Sequence, residues 1–271
     1  YNVGQANCSA LIRYEDESQT DYKVIVVFDM GYQKRRGRND SLDEMLSKVD
    51  SDTTIVISHF HQDHINNVTK HCKIATNRWV FPNCDPNRHK AYKLFQALLL
   101  IAKKKTRSGN IYMFSPPYSF SNGFTIHQHL GRATDLYQRG SDINAQSLVC
   151  ELSIGDKRVL IPGDALYEEY DTLDLSKPFD YVLIPHHCCC YSSPLATHDS
   201  AKIRGIIGGN TFGIANCGEN RYGHANASHL SWFGGHYHLF PGSKVYDDGK
   251  HVIATSCYGV SDYYAINFCD D

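Results

Sequence analysis

The sequence predicts an α/β sandwich built as one domain over residues 1–271. Three observations predict it. Strand-length apolar runs bounded by turn residues recur in both halves, a few segments carry a helical period, and no linker or fixed-period repeat divides the chain. A chain of 271 residues, 42% hydrophobic and 21% charged, can bury a substantial core and has the balance of a soluble globular protein.

The small and turn-forming residues Val3-Gly4-Gln5-Ala6-Asn7 lead into an apolar strand through Ile12. A polar turn, Glu15 to Asp21, joins it to the strand Tyr22–Phe28, which ends in Asp29-Met30-Gly31; together they read as a β-hairpin. Lys34-Arg35-Arg36-Gly37-Arg38 follows, either a solvated loop or a phosphate contact. Ser41 to Val49 reads as a short helix, with Leu42, Met45, Leu46 and Val49 on one face and Ser41 as its N-cap. Thr53 to Ile57 is a buried strand. Asn87 to Lys105 is the clearest helix: Ala91, Leu94, Phe95, Leu98 and Ala102 form its stripe, and Lys103-Lys104-Lys105 suits its C-terminal dipole. A loop rich in Gly, Pro and Tyr, Gly109 to Gly123, leads into the strand Phe124–Leu130.

Ser147–Leu152 and Arg158–Ile161 form a second hairpin turning at Gly155-Asp156, and its second strand ends in Pro162-Gly163-Asp164. The strand Phe179–Ile184 runs into Pro185-His186-His187, and Ala201 to Gly208 is a further strand-like run, followed by Asn220-Arg221-Tyr222-Gly223-His224.

Composition narrows the function. The longest strongly apolar run, Ala97 to Ala102, is far too short for a membrane span. No signal peptide is in view, and the abrupt start at Tyr1 leaves room for an upstream segment. Ten cysteines at irregular spacing, with Cys188, Cys189 and Cys190 consecutive and no CxxC pair, point to reduced thiols and a cytoplasmic setting. A net charge of −2 exerts no global pull on nucleic acid, so any polyanion site is a local patch.

Chemistry concentrates behind the Thr53–Ile57 strand, where His59, His61, Asp63 and His64 place four potential metal ligands within six residues. His59 and His61 share a face of an extended chain, and Asp63-His64 falls where the strand gives way to a loop or helix. A turning backbone can therefore aim two ligands at one divalent metal and two at a second, with imidazole and carboxylate suited to zinc. Asp164 and His186-His187 end two further strands with the same residue types. Asp29, just past a buried strand, reads either as an anchor behind the metal loop or as a turn residue before Gly31.

The order Asp29-x-Gly31, His59-x-His61-x-Asp63-His64, Gly163-Asp164 and His187 resembles the motifs of the metallo-β-lactamase superfamily. More narrowly the chain resembles the ComEC-type branch, the hydrolase domain of bacterial competence proteins. Val3-Gly4-Gln5, Asn144-x-x-Ser147-Leu148-Val149, Ile184-Pro185-His186-His187 and Tyr222-Gly223-His224 are similar to that branch's "DVGQG", "NxxSLV", "VPHHGS" and "YGHP".

The resemblance implies an αββα sandwich of two mixed sheets flanked by helices, with two divalent ions, zinc or manganese with magnesium as a further option, in a cleft along one edge. His59 and His61 would hold the first ion, Asp63, His64 and His187 the second, and Asp164 would bridge them. His186 would touch substrate, Asp63 would orient the attacking water, and His224 would be a general acid or phosphate contact, or else an ordinary loop histidine. Asn144 stands where a third histidine is usual, unless His127 or His129 substitutes. An amide oxygen is a weak, hard ligand that favours manganese or magnesium over zinc.

Departures from the pattern at Asn2, Asn7, Asn66-Asn67 and Cys188-Cys189-Cys190 touch the cleft's edge. The leading expectation is phosphodiester hydrolysis with nucleic acid as substrate, Arg35 and Arg36 contacting it. A small phosphodiester (a cyclic nucleotide or choline-phosphate ester) and a catalytically silent binding relative stay open, as does a protein partner that delivers substrate. β-Lactam hydrolysis is the least expected activity, given Asn144.

Overall fold

The computed structural model describes residues 7–16, 18, 20–31, 40–68, 77–82, 111–113, 118–120, 124–127, 144, 147–165, 167, 170, 173–189, 200–217, 224–240, 245–247 and 251–253. Strands β1 (Ser9–Tyr14) and β2 (Tyr22–Phe28) pair antiparallel, and β3 (Thr54–Val56), β4 (Arg78–Phe81) and β5 (Ile111–Met113) add in parallel to complete a mixed five-stranded sheet. A seven-stranded sheet contains β6 (Tyr118–Phe120), β7 (Phe124–His127), β8 (Val149–Ile154), β9 (Lys157–Ile161), β10 (Phe179–Leu183), β11 (Ile207–Ala215) and β12 (Tyr237–Leu239). It is antiparallel from β6 to β9 and parallel from β9 to β12. A small hairpin, β13 (Val245–Asp247) with β14 (His251–Ile253), forms a separate two-stranded sheet, with Val245 packed in the core of the seven-stranded one.

Alternation along the strands divides the apolar residues into three cores. Val26, Phe28, Val56 and Val80 of the first sheet meet Ile126, Cys150, Leu152 and Val159 of the second. The alternate residues Val27, Ile55, Trp79 and Phe81 pack outward beneath Leu42, Met45 and Leu46 of helix α1 (Asp40–Ser47). On the opposite outer face Leu160 and Val182 pack beneath Ile203 and Ile206 of α3 (Ser200–Ile206) and Leu230 of α4 (Ala227–Ser231). The layers therefore run helix, sheet, sheet, helix: an α/β sandwich of two mixed sheets. Burying each large apolar side chain contributes roughly 1.5–3 kcal/mol, whereas exposed ion pairs such as Lys48–Asp21 contribute about 0–1 kcal/mol. A bulge opposite Leu11 and Ile12 puts Ile25 as well as Val26 on the inter-sheet side of β2.

Several elements differ from their sequence expectations. Ala201–Gly208 is not a strand: it is α3 followed by the start of β11. Ile203, Ile206 and Ile207 fall at i, i+3, i+4 and are all buried, so one apolar stripe outweighs the β-branched content that suggested a strand. Helix α1 begins at Asp40, which leaves Ser41 inside the first turn rather than at the cap, and it ends at Ser47, before a tightened turn from Lys48 N–H to the Met45 carbonyl. The stretch Gly109–Gly123 is not loop throughout, because it contributes β5 and β6. Each is three residues long and is recruited by pairing with β4 or β7. Strand β8 starts at Val149, since the Ser147 and Leu148 N–H groups bond instead to the Asn144 and Ser58 carbonyls.

The second hairpin turns at Gly155-Asp156, where Gly155 has a positive φ. The described cysteines, Cys8, Cys150, Cys188, Cys189 and Cys217, are thiols rather than disulfides and all buried. Among the described residues no helix is long and apolar enough to cross a membrane. The expected helix at Asn87–Lys105, the basic run with Arg35 and Arg36, His129 and Cys190 lie outside the described residues.

Candidate metal centre

The site forms where strand ends of the two sheets meet. Beyond β3 the chain continues extended through Ile57, whose N–H bonds to the Val80 carbonyl, and then Ser58 leaves the sheet. The Ser58 carbonyl accepts from Leu148 N–H at 2.8 Å, which ties the histidine loop of the first sheet to the entry of β8 in the second. His61, in extended conformation, precedes a single helical turn, α2 (Gln62–Ile65), so His59 and His61 are set by extended backbone and Asp63-His64 by helix. Met30 clamps that turn, donating its N–H to the His64 carbonyl and accepting from Asn67 N–H.

Asp164 arrives at the tip of β9. Gly163 has φ +58°, and a Cβ there would stand 2.7 Å from Ser58 Cβ, so only glycine lets the tip approach the histidine loop this closely. His187 follows β10 in a tight turn in which His186, His187 and Cys188 all have φ between 49° and 61°. Consecutive left-handed residues other than glycine are costly, and the turn is held by hydrogen bonds at both ends. His186 N–H donates to the Gly163 carbonyl, and the Cys188 carbonyl accepts from Asn226 N–H.

Among the described residues two groups of potential ligands result: His59, His61 and Asp164, and Asp63, His64 and His187. Asp164 faces both. Its Oδ2 is 3.6 Å from His59 Nε2, and its Oδ1 is 3.3 Å from His64 Nε2 and 3.8 Å from His187 Nε2. Asp63 Oδ2 lies 3.4 Å from His187 Nε2, and His59 Nε2 lies 2.9 Å from His61 Nδ1. His186 Nε2 is 3.8 Å from Asp164 Oδ2.

Behind these atoms is a second set of contacts that fixes the rings. Asp29 accepts from Ser58 N–H and Ser58 Oγ–H and sits 2.7 Å from His64 Nδ1. Ser58 Oγ and Ser147 Oγ lie 3.0 and 3.1 Å from His59 Nδ1. His187 Nδ1–H donates to the Asn216 carbonyl at 2.9 Å. Since a carbonyl only accepts, Nδ1 carries a proton and Nε2 is the His187 nitrogen that faces the site.

Electrostatics fit a cation between these groups. Burial disfavours charge on His64, but Asp164 and Asp29 beside it outweigh burial and raise its pKa well above the ordinary histidine value. His187 is likewise raised against its burial, by Asp164 and Asp63. Asp164 and Asp63 are held below the usual carboxylate range by these histidines despite their own burial. His59 is pushed well below its ordinary value by burial and by His64. In this arrangement protons on His64 and His187 balance the carboxylates, which is the role a divalent ion would take over.

The decisive observation is that His64 Nε2, Asp164 Oδ1 and His187 Nε2 are buried, face one another, and make no hydrogen bond. Buried nitrogen and oxygen atoms are rarely left so, whereas a shared divalent cation satisfies all three.

The structure brings His59, His61, Asp63, His64, Asp164, His186 and His187 together, with Asp29 behind them. His224 is adjacent: its ring stacks on His187 with centroids 6.3 Å apart and lies 6.1 Å from His186. Burial, then His187 and His186, push its pKa down to about 3. Asn144 is buried, and its carbonyl receives the N–H of Ser147, the residue that touches His59. His127 faces Glu151, with Nε2 3.5 Å from Oε2, within a cluster that includes Arg158. Sequence reasoning assigned no role to Ser58 or Asn216, and cited Ser147 only as part of a motif. Ser147 was the one of these with a signal, its place three residues after Asn144, while Asn216 acts through a backbone carbonyl that no side-chain pattern reveals.

Two solved structures show distant likeness. One is a Thermotoga maritima protein described as a candidate metallo-β-lactamase, with TM-score 0.35 and 16% identity over 58% of this chain and 68% of that one. The other is AbOPH, a hydrolase of the β-lactamase superfamily, with TM-score 0.29 and 16% identity over 56% of this chain and 59% of its own. This chain thus spans less than two thirds of AbOPH. No protein-family model and no curated protein matches the chain.

Proposed function

We propose that the chain is a metal-dependent phosphodiester hydrolase that works through two divalent ions, with nucleic acid as its substrate. The observation that carries this reading is the trio of buried, mutually facing atoms His64 Nε2, Asp164 Oδ1 and His187 Nε2. His59 and His61 would hold one ion, with Asn144 offering an amide oxygen; Asp63, His64 and His187 would hold the second, and Asp164 would serve both. When bound, such a pair of ions lowers the pKa of a water and neutralises charge building on the reacting phosphate.

The protein's own groups do the rest. Asp29, Ser58, Ser147 and Asn216 fix the ligand rings by bonds at Nδ1. The Asp63 side chain is 38% exposed, so its carboxylate reaches solvent and orients the attacking water. His224, with a pKa of about 3, is neutral at pH 7 and contacts a phosphate oxygen through a ring N–H rather than delivering a proton as imidazolium. His186, partly exposed beside Asp164, makes a second contact of this kind. The phosphodiester class rests on the resemblance of the motifs to the ComEC-type branch, and the choice of a polyanion rests on the basic run Lys34–Arg38 with Arg35 and Arg36. An amide ligand at Asn144 makes manganese or magnesium fit the first position better than zinc.

The test is incubation with single- and double-stranded DNA, RNA and a generic phosphodiester, each with manganese, magnesium or zinc, beside a His61→Ala/Asp63→Ala control. Cleavage of the small ester alone sinks the nuclease reading. No turnover together with no bound metal by elemental analysis sinks the hydrolase reading as a whole.

A further inference from the structure

The two ligands Asp63 and His187 belong to different sheets, and their separation sets the second ion position. Asp63 follows β3 of the first sheet and His187 follows β10 of the second, yet Asp63 Oδ2 and His187 Nε2 stand 3.4 Å apart. One short path of hydrogen bonds joins the Asp63 backbone to the His187 ring. Asn7 N–H donates to the Asp63 carbonyl at 3.3 Å, and the Asn7 carbonyl accepts from Gly31 N–H at 2.8 Å. Gly31 is packed so tightly here that a Cβ would overlap the Asp63 carbonyl and approach the Asn7 carbonyl to 2.9 Å. From the other side, Asn7 Oδ1 accepts from Asn216 Nδ2 at 3.2 Å, and the Asn216 carbonyl takes the Nδ1 proton of His187. Asn216 is buried, 209 residues from Asn7 in the chain.

We propose that Asn7 is a positioning residue for the second metal ion, acting with Asn216 as a strut that fixes the distance between Asp63 and His187. The proposal rests on the two-ion reading above. Its backbone holds the Asp63 side, its side chain holds the His187 side, and only an acceptor at Oδ1 is required. Aspartate at position 7 therefore preserves the strut, while alanine breaks it. Asn216→Ala breaks the same bond from the other end and leaves the carbonyl that holds His187 in place.

Titration of the metal-free full chain with zinc or manganese, following occupancy and affinity stepwise, tests the strut. Wild type is expected to take two ions. Asn7→Ala and Asn216→Ala are each expected to weaken one of the two by roughly 10–100-fold, the range for loss of a group that orients a ligand, with the other ion and the metal-free melting midpoint little changed. Asn7→Asp is expected to restore the weakened ion, and the double alanine variant to bind no worse than either single one. Two ions bound at wild-type affinity by both alanine variants would overturn the strut and leave the two-ion reading intact. Equal loss of both ions in parallel with a lowered midpoint, or no rescue by aspartate, would also overturn it, as general destabilisation. A wild-type chain that binds no ion removes the two-ion reading and the strut together.

Discussion

Asp29 Oδ2 stands 2.7 Å from His64 Nδ1, while the opposite ring nitrogen of His64 faces Asp164 Oδ1 at 3.3 Å. One imidazole thus links the two carboxylates, with Asp29 on its Nδ1 side and Asp164 on its Nε2 side. Asp29 is itself at φ 55°, an uncommon backbone state for a residue with a Cβ, and it holds Ser58 N–H as well. Replacing Asp29 by Asn, which keeps the shape but loses the carboxylate, is expected to cost about 10–100-fold in metal affinity. Competition against a chromophoric chelator measures this directly, and unchanged affinity would remove Asp29 from the account.

Gly163 governs how near Asp164 comes to the histidine loop. Gly163→Ala places a methyl group 2.7 Å from Ser58 Cβ at a φ of +58°. The left-handed conformation costs roughly 1–2 kcal/mol and the overlap about 1–3 kcal/mol, so a total loss of about 2–5 kcal/mol is expected in urea unfolding of the metal-free protein. Substitution at Gly155, which also has positive φ but has no atom within 4 Å of a Cβ, should show only the conformational part.

His229 provides a pH test away from the ligands. Its Nε2 accepts from the Tyr167 hydroxyl at 2.8 Å, its Nδ1–H donates to the Cys189 carbonyl, and burial pushes its pKa down to about 3. The folded value lies below the unfolded value of about 6.5, so the unfolded chain takes up the proton first as pH falls. Stability is therefore full above about pH 6.5 and declines towards about pH 3, this one group contributing a slope of about 1.4 kcal/mol per pH unit. His229→Gln has no proton to gain, and its urea midpoint should fall less steeply over that window than wild type.

Much of this architecture was legible in the sequence because it is local. The hairpin β8–β9 is announced by Gly155-Asp156, and β10 by its apolar run before Pro185. The candidate ligands stood out because His59 to His64, Asp164 and His187 each follow a strand, and strand ends are where a sandwich brings distant residues together. Ala201–Gly208 misled because Ile203, Ile206 and Ile207 suit either state, and tertiary burial on the outer face of the second sheet decides for helix. β5 and β6 were missed because strands this short exist through their neighbours' edges rather than through their own composition. The supporting contacts of Ser58, Asn7 and Asn216 combine side-chain and backbone groups, and they depend on how the two sheets meet rather than on any spacing along the chain.

His224 is held neutral against His187, so its contribution should not depend on carrying a charge. His224→Asn, which keeps an N–H donor, is expected to retain most of kcat on the substrate the enzyme turns over, while His224→Ala loses roughly 10²-fold or more. Equal losses in both variants would assign His224 a role in proton transfer instead.

The most direct measurement is the metal content of the purified, metal-reconstituted chain together with cleavage of DNA, RNA and a generic phosphodiester, for wild type and for Asp164→Asn. The account predicts two ions per chain and phosphodiester cleavage in the wild type, and loss of both when the carboxylate facing the two ligand groups is neutralised. A wild-type chain that binds no divalent ion, or an Asp164→Asn variant that keeps both ions and full activity, would contradict it.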